Sequence, residues 1–266
     1  KEVVPHIDTW EKTGTIDRFI WEKFGEMGYF GLATPEAYGG LGLDIFYTII
    51  FIEELQKINS GGFAAAIWAH EYLAMTHLNK EANEEQKQKY LVPSVSGEKI
   101  GCLCITEPFG GSDVGGMRTT AVKKGDTYVI NGSKTFITNG VYSDYLIVAA
   151  KTSPDQGNKG ISIFIMDRDL PGISATKLDK LGWRASDTAE IAFDNVVIPA
   201  ENLMGEENLG FPYIMQHFAL ERLIMGINAH ARSEWALEYA IGYMKERTAF
   251  GKPISKFQAV RNKVAE

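Results

Sequence analysis

The chain has 266 residues, 45% of them hydrophobic and 23% charged, an ordinary globular composition with enough apolar surface for one large core or two to three smaller ones. Its 34 acids against 27 bases give a formal net charge of −7 with no dense Lys/Arg tract, which argues against a nucleic-acid or anionic-membrane partner, since phosphates demand clustered cations. The longest apolar run, Ile45 to Ile52 broken by Thr48, is far too short to span a bilayer, and no secretory leader pattern opens the chain.

In chain order, apolar spacing is helical up to about Val95. Trp21, Phe24, Met27 and Phe30 stand three residues apart, and Ile45, Ile49, Ile52 and Leu55 share one helical face. Gly39, Gly40 and Gly42 force a loop between these two helices. From Lys99 the period changes to two, and runs rich in Val, Ile, Tyr and Phe predict strands to about residue 207. Asn131-Gly132 predicts a type I′ hairpin turn between Thr127–Ile130 and Thr135–Thr138. Cys102 and Cys104, two apart on such a strand, point to one side where disulfide geometry rarely fits, so the chain reads as reduced and intracellular. After Gly210 the helical period returns and runs to "FQAVRNKVAE", which stops without a cap signal; with Lys1 at the start, this predicts a piece of a longer protein. The expected architecture is α+β: residues 1–98 helical, 99–207 an antiparallel β unit of barrel or sandwich type, and 208–266 the beginning of a C-terminal helical bundle.

Neither a dinucleotide-binding G-x-G-x-x-G nor a Walker loop occurs. His70-Glu71 starts like a zinc-protease helix, but Ala74 stands where the second histidine belongs, and Cys102-x-Cys104 lacks a second ligand pair, so no metal site is expected. The loop "ITEPFGGSDVGG" is more informative. Pro108 stops a strand, Gly110 and Gly111 allow the backbone close approach to a ligand, and Ser112 offers a hydroxyl. Such a loop suits a phosphate or a polar ring edge, or else is a glycine-rich connection with Asp113 capping a turn.

The segments "ITEPFGGSDVGGMRTTA", "INGSKTFITNG", "LGWRASDTAEIAFDNVVIPAENLMGEENLGF" and "ERTAFGKPISKFQ", together with "PEAYGGLGLD", occur in an order and spacing that resemble the acyl-CoA dehydrogenases, flavoproteins that desaturate acyl thioesters. The resemblance covers the whole chain. It implies an N-terminal helical domain, a middle β domain and the opening helices of a four-helix bundle, enclosing FAD. It assigns Leu103, Ile105, Thr106, Gly111 and Ser112 to the flavin and pyrophosphate, with Thr106 on the reactive edge of the ring and Ser112 between FAD and the CoA arm. Phe136, Ile137 and Thr138 match the segment that covers the flavin face, where the commoner aromatic is Trp. Phe109 stands where the family usually has a small residue. Arg247, Phe250, Phe257 and Gln258 match residues that hold the FAD of a neighbouring subunit, which implies a homo-oligomer, a dimer of dimers.

The chemistry requires a base for the α-proton, and a carboxylate in a dry pocket suits because burial raises its pKa. Glu221 interrupts the stripe Ile214, Phe218, Met225 on the last helical segment, and Arg222, adjacent in sequence, is turned about 100° away from it. Most of the family places the base later in the bundle, whereas the isovaleryl and long-chain branches place it at an "ER" pair like Glu221-Arg222; shared wording such as "GEENLGFPYIM" favours the long-chain branch. Phe218, Ala219, Leu220 and Arg222 are assigned to the substrate with Ser112. The implied activity is dehydrogenation of an acyl-CoA with electrons passed to an electron-transfer flavoprotein, in a bacterial cytoplasm or a mitochondrial matrix. The alternatives are an acyl-CoA oxidase using oxygen, and a non-catalytic scaffold of the same fold.

Overall fold

The structure is a computed structural model and describes residues 2–266. Its first part is helical: α1 (Ile7–Thr13), α2 (Arg18–Glu26), α3 (Ile45–Gln56) and α4 (Gly61–Trp68), which runs through a π-helical stretch, Ala69–Ala74, into α5 (Met75–Glu81); α6 (Glu84–Gln86) passes through another, Lys87–Leu91, into α7 (Val92–Val95). The local signals are those expected of helix ends. Asp44 and Ser60 cap α3 and α4 by accepting from Phe46 N and Phe63 N, and Asn83 with Gln86 forms a reciprocal capping box. The three-residue spacing from Trp21 to Phe30 does not continue one helix. It breaks after Glu26, with Gly28 in the left-handed region (φ 70°), so Phe30 is buried from a loop while Met27 is 58% exposed. On α3 the buried face is Thr48, Ile52 and Leu55 rather than one including Ile45, which faces solvent.

The middle part is one eight-stranded sheet: β1 (Gly101–Cys104), β2 (Thr120–Lys124), β3 (Thr127–Thr138), β4 (Tyr145–Lys151), β5 (Ile161–Asp167), β6 (Ile173–Lys177), β7 (Thr188–Pro199) and β8 (Leu203–Met204). Strand order is β6-β7-β3-β2-β4-β5-β8, with β1 beside β4. The expected antiparallel pairing holds for most of it, but β1 and the first residue of β2 run parallel to β4, so the sheet is mixed. β4 is buried on both faces: Tyr145, Ile147 and Ala149 pack with α5 and Ile214, whereas Leu146, Val148 and Ala150 pack with Cys102, Cys104, Phe164 and Ile191 across the curled sheet. Both cysteines are free and fully buried, with their sulfurs 3.8 Å apart.

The hairpin expected at Asn131-Gly132 is absent. Residues 127–138 form one strand paired to β2 on one side and β7 on the other, and the β2–β3 turn lies at Gly125-Asp126 instead. Asn131-Gly132 marks a bulge, where the register against β7 shifts between Ile130 and Gly132. The long partner β7, which pairs with β3 on both sides of that position, outweighs the local turn preference. A 37-residue helix, α8 (Gly210–Glu246), then crosses back over the first part; β9 (Thr248–Ala249), β10 (Lys252–Pro253) and α9 (Gln258–Ala265) end the chain. No helix among the described residues is long and apolar enough to cross a membrane.

Candidate functional site

The site is built where the end of β1 and the C-terminal half of β3 meet α8. A cleft of about 190 Å³ is lined by Leu103, Ile105, Thr106, Phe136, Ile137, Thr138, Phe218 and Glu221, with Ala69 and Leu73 closing it from the helical part. Its wall is locked from beneath by a fully buried ion pair. Lys134 Nζ donates to Glu107 Oε1 at 2.8 Å and to Ile105 O at 3.0 Å, thus holding both neighbours of Thr106, and Thr106 O accepts from Thr135 N at 2.9 Å. Burial alone would raise the Glu107 pKa; the Lys134 ammonium and the N–H groups of Thr119 and Arg118 outweigh it and hold the carboxyl below its usual range.

A second bulge, between Lys134 and Ile137, puts Phe136 in the left-handed region (φ 59°) and turns its ring out, 68% exposed. A bulky residue there is strained, and such strain recurs at functional sites because the surrounding structure must hold it.

Glu221 faces this cleft and meets no partner. Its Oε1 is buried without a hydrogen bond, no Lys, Arg or His among the described residues forms a salt bridge with it, and burial pushes its pKa up to about 7 against the weaker opposing charge of Arg222. Glu71 is the instructive contrast. Burial also raises it to about 7, but its oxygens accept from Gly31 N at 2.8 Å and Leu32 N at 3.1 Å, so it is a pinned structural group. A carboxylate that is partly buried, half-protonated near neutrality and bare toward a cleft is able to accept a proton from something placed in that cleft.

The glycine loop lies beside the cleft. Glu107 and Gly110 exchange backbone hydrogen bonds at 3.1 Å, and Asp113 Oδ1 caps the following turn by accepting from Gly116 N, so the turn-capping role of Asp113 is real. A Cβ at Gly110 would find its nearest neighbour at 3.8 Å and at Gly111 at 3.4 Å, ordinary contacts, and neither has positive φ. The fold itself does not demand glycine at these two positions; a group approaching from outside would. Ser112 lines a separate opening of about 480 Å³ with Asp113 to Gly116, Asn158 and Phe211. Phe109, 68% exposed, stacks under the Arg118 guanidinium at 4.0 Å.

Other expected site residues lie apart from this cleft. Leu220 packs on the opposite side of α8 with Ile52, Tyr72 and Ile224; Ala219 and Arg222 face solvent, Arg222 resting 5.8 Å from the Phe218 ring. The helix turns about 100° per residue, so of 218–222 only Phe218 and Glu221 share the cleft face. Met225, expected to continue that stripe, is 40% exposed. Arg247, Phe250 and Gln258 are exposed, and Phe250, 93% exposed with φ 52°, meets Phe257 edge-on at 6.0 Å. Ala69 and Leu73 were not foreseen, because a helix closing a distant cleft leaves no local signal. A larger cleft of about 490 Å³, lined by Thr15, Arg18, Asn139 and Asp187, has its polar groups engaged: Arg18 pairs with Asp144, Asn139 donates to Ala66 O, and Asp187 accepts from Val141 N.

Helices, a curled mixed sheet and returning helices, with an unpaired acid over a cleft, define a three-part α+β protein whose candidate site lies at the junction of its parts. Comparison with known proteins identifies the group. Models described as acyl-CoA dehydrogenase N-terminal, middle and C-terminal domains match residues 1–98, 102–196 and 208–266. The chain is 40% identical to the mitochondrial long-chain specific acyl-CoA dehydrogenase of Sus scrofa over all of its own length and 62% of that protein, and 39% identical to the mitochondrial isovaleryl-CoA dehydrogenase of Arabidopsis thaliana over 99% of itself and 65% of that protein. Among solved structures it superposes on an acyl-CoA dehydrogenase from Geobacillus kaustophilus with TM-score 0.95 at 43% identity, covering 100% of this chain and 70% of that one. A glutaryl-CoA dehydrogenase from Mycobacterium smegmatis in complex with FADH2 gives TM-score 0.90 at 32% identity, covering 98% and 66%. The chain belongs to the acyl-CoA dehydrogenase family and spans about two thirds of the length of these relatives.

Proposed function

We propose that this chain carries the FAD-dependent α,β-dehydrogenation of acyl-CoA thioesters, with Glu221 as the base. The observation that carries the reading is the bare, buried Oε1 of Glu221 facing the cleft walled by Thr106 and Phe136 to Thr138. The same residues fit a flavin: the loop accepts a close approach at Gly110 and Gly111, Thr106 has a hydroxyl at the cleft, and the Phe136 ring is turned outward as a stacking face. When bound, FAD supplies the acceptor for the hydride. Leu103, Ile105, Thr106, Gly111, Ser112 and residues 136–138 would hold it, and Ser112 with Phe218 would face the thioester. Glu221 removes the α-proton while the β-hydrogen leaves with its electron pair. A carboxylate near pKa 7 is strong enough to take that proton and is still ionised at neutral pH.

The reading extends to the long-chain branch, supported by the Glu221-Arg222 pair and the first of the relatives above, and to domains bounded at 1–98, 99–207 and 208–266. Electrons pass to an electron-transfer flavoprotein, Arg247, Phe250, Phe257 and Gln258 serve the FAD of a neighbouring copy in a dimer of dimers, and the setting is a bacterial cytoplasm or a mitochondrial matrix. The test is anaerobic mixing of the flavin-loaded intact protein with a panel of acyl-CoAs. Bleaching of the flavin band by long saturated chains is expected, with the rate rising as pH passes about 7 and falling at least about 10²-fold in Glu221→Gln. Bleaching at an unchanged rate in that variant sinks the base, and peroxide formed stoichiometrically in air replaces the flavoprotein acceptor with oxygen.

A further inference from the structure

His77 and Glu81 stand one turn apart on α5, on one face, and His217 meets them from α8. All three side chains are nearly inaccessible, at 0%, 5% and 7% exposure. Glu81 Oε2 lies 3.2 Å from His77 Nδ1 and 2.9 Å from His217 Nε2, and one ligand atom from each residue falls within 4.8 Å of the others. We propose that His77, Glu81 and His217 form a binding site for a divalent transition-metal ion of the zinc class, tying α5 to α8.

Ligand atoms in a tetrahedral zinc shell with bonds of about 2.0–2.1 Å stand about 3.3 Å apart, so the two measured contacts are already near that spacing. Two imidazoles and a carboxylate suit zinc, cobalt or nickel, not calcium or magnesium, which take oxygen sets. The three residues leave a fourth position to water or another donor. The charge balance also points to a cation. Among the described residues Glu81 forms ion pairs only with the two imidazoles and with no Lys or Arg, and a buried carboxylate without a fixed cation is costly. A purely hydrogen-bonded triad uses the same short distances but places no fixed cation beside the Glu81 carboxylate. The proposal is independent of the flavin reading, although His217 precedes Glu221 by one turn of α8.

The purified protein, stripped with EDTA and desalted, should bind one equivalent of Zn2+ and melt higher by about 5 °C or more at a hundredfold excess over its dissociation constant, with no response to Mg2+. Co2+ in its place should give visible d–d bands of nitrogen and oxygen ligation. His217→Gln and His77→Gln should each lose the equivalent, the bands and the melting shift, while His230→Gln, on the exposed part of α8, keeps all three. If either cluster variant fails to fold, the Co2+ spectrum of the unaltered protein decides alone. Absence of stoichiometric binding and of d–d bands, or binding that survives loss of both cluster histidines, overturns the site.

Discussion

Glu71 is a buried and Glu221 a partly buried carboxylate, both pushed to about 7, and what separates them is partners: two backbone N–H groups for one, none at the buried Oε1 of the other. The difference has a measurable consequence for stability. The folded-state pKa of Glu221 lies above its ordinary 4.5, so the folded chain keeps this proton after the unfolded chain has released it. Its contribution is therefore fully present below about pH 4 and is lost as pH rises through about 7. Glu221→Gln removes that loss. Relative to the unaltered chain the variant should gain about 2 kcal/mol at pH 8, allowing for the partial exposure of the group, and gain nothing comparable at pH 4. Urea unfolding at the two pH values measures this, and an equal effect at both would mean that Glu221 is not held protonated by its surroundings. The carboxylate was legible in the sequence as the polar member of an apolar stripe. Its isolation was not, because the absence of a counter-charge depends on every element packed around it.

At the scale of elements, β3 decides the site. Its first half is an ordinary strand, while its second half carries a bulge that turns Phe136 outward and a lysine that reaches under the neighbouring loop to both sides of Thr106. Lys134→Met should cost about 3–5 kcal/mol, since it leaves the Glu107 carboxylate buried without its cation. Lys134→Met combined with Glu107→Gln should recover part of that loss, because no uncompensated charge remains. Chemical denaturation of the two single variants and the double variant closes the cycle, and strictly additive losses would mean that the pair is not coupled. Sequence periodicity identified the strand residues correctly but split the strand at Asn131-Gly132. That dipeptide favours a turn locally, yet nine residues of β3 pair with β7 across both bulges and keep the chain extended.

Over the whole molecule, the site depends on α8 crossing from the sheet to the helical part, where it packs chiefly on α3. Its buried residues, Gly210, Ile214, His217, Ile224 and Ala231, all lie in the first two thirds, whereas Leu237, Tyr239 and Tyr243 beyond them are exposed. Arg247 and Phe250 follow on the same exposed end, far from any enclosing wall in the single chain. If they serve the FAD of a neighbouring copy, Arg247→Ala should weaken flavin retention in the assembled protein about tenfold or more, because an arginine–phosphate fork contributes about 1.5–3 kcal/mol. Flavin content after dialysis, alongside sedimentation to establish that assembly persists, reads the effect. Full retention in an intact assembly would remove Arg247 from the cofactor site.

The sequence by itself determined the order of the three parts, the helical and extended segments, the position of the glycine loop and the carboxylate on α8, because these rest on periodicity, turn chemistry and contiguous motifs within a few residues of one another. Only the tertiary structure decided which faces meet. It brought Ala69 and Leu73 to the cleft, removed Leu220 and Arg222 from it, and joined His77 and Glu81 to a histidine 136 residues beyond Glu81. It also joined Lys134 to Glu107 beneath the cleft wall. Such contacts depend on packing between elements remote in sequence, for which a chain read residue by residue carries no period and no spacing.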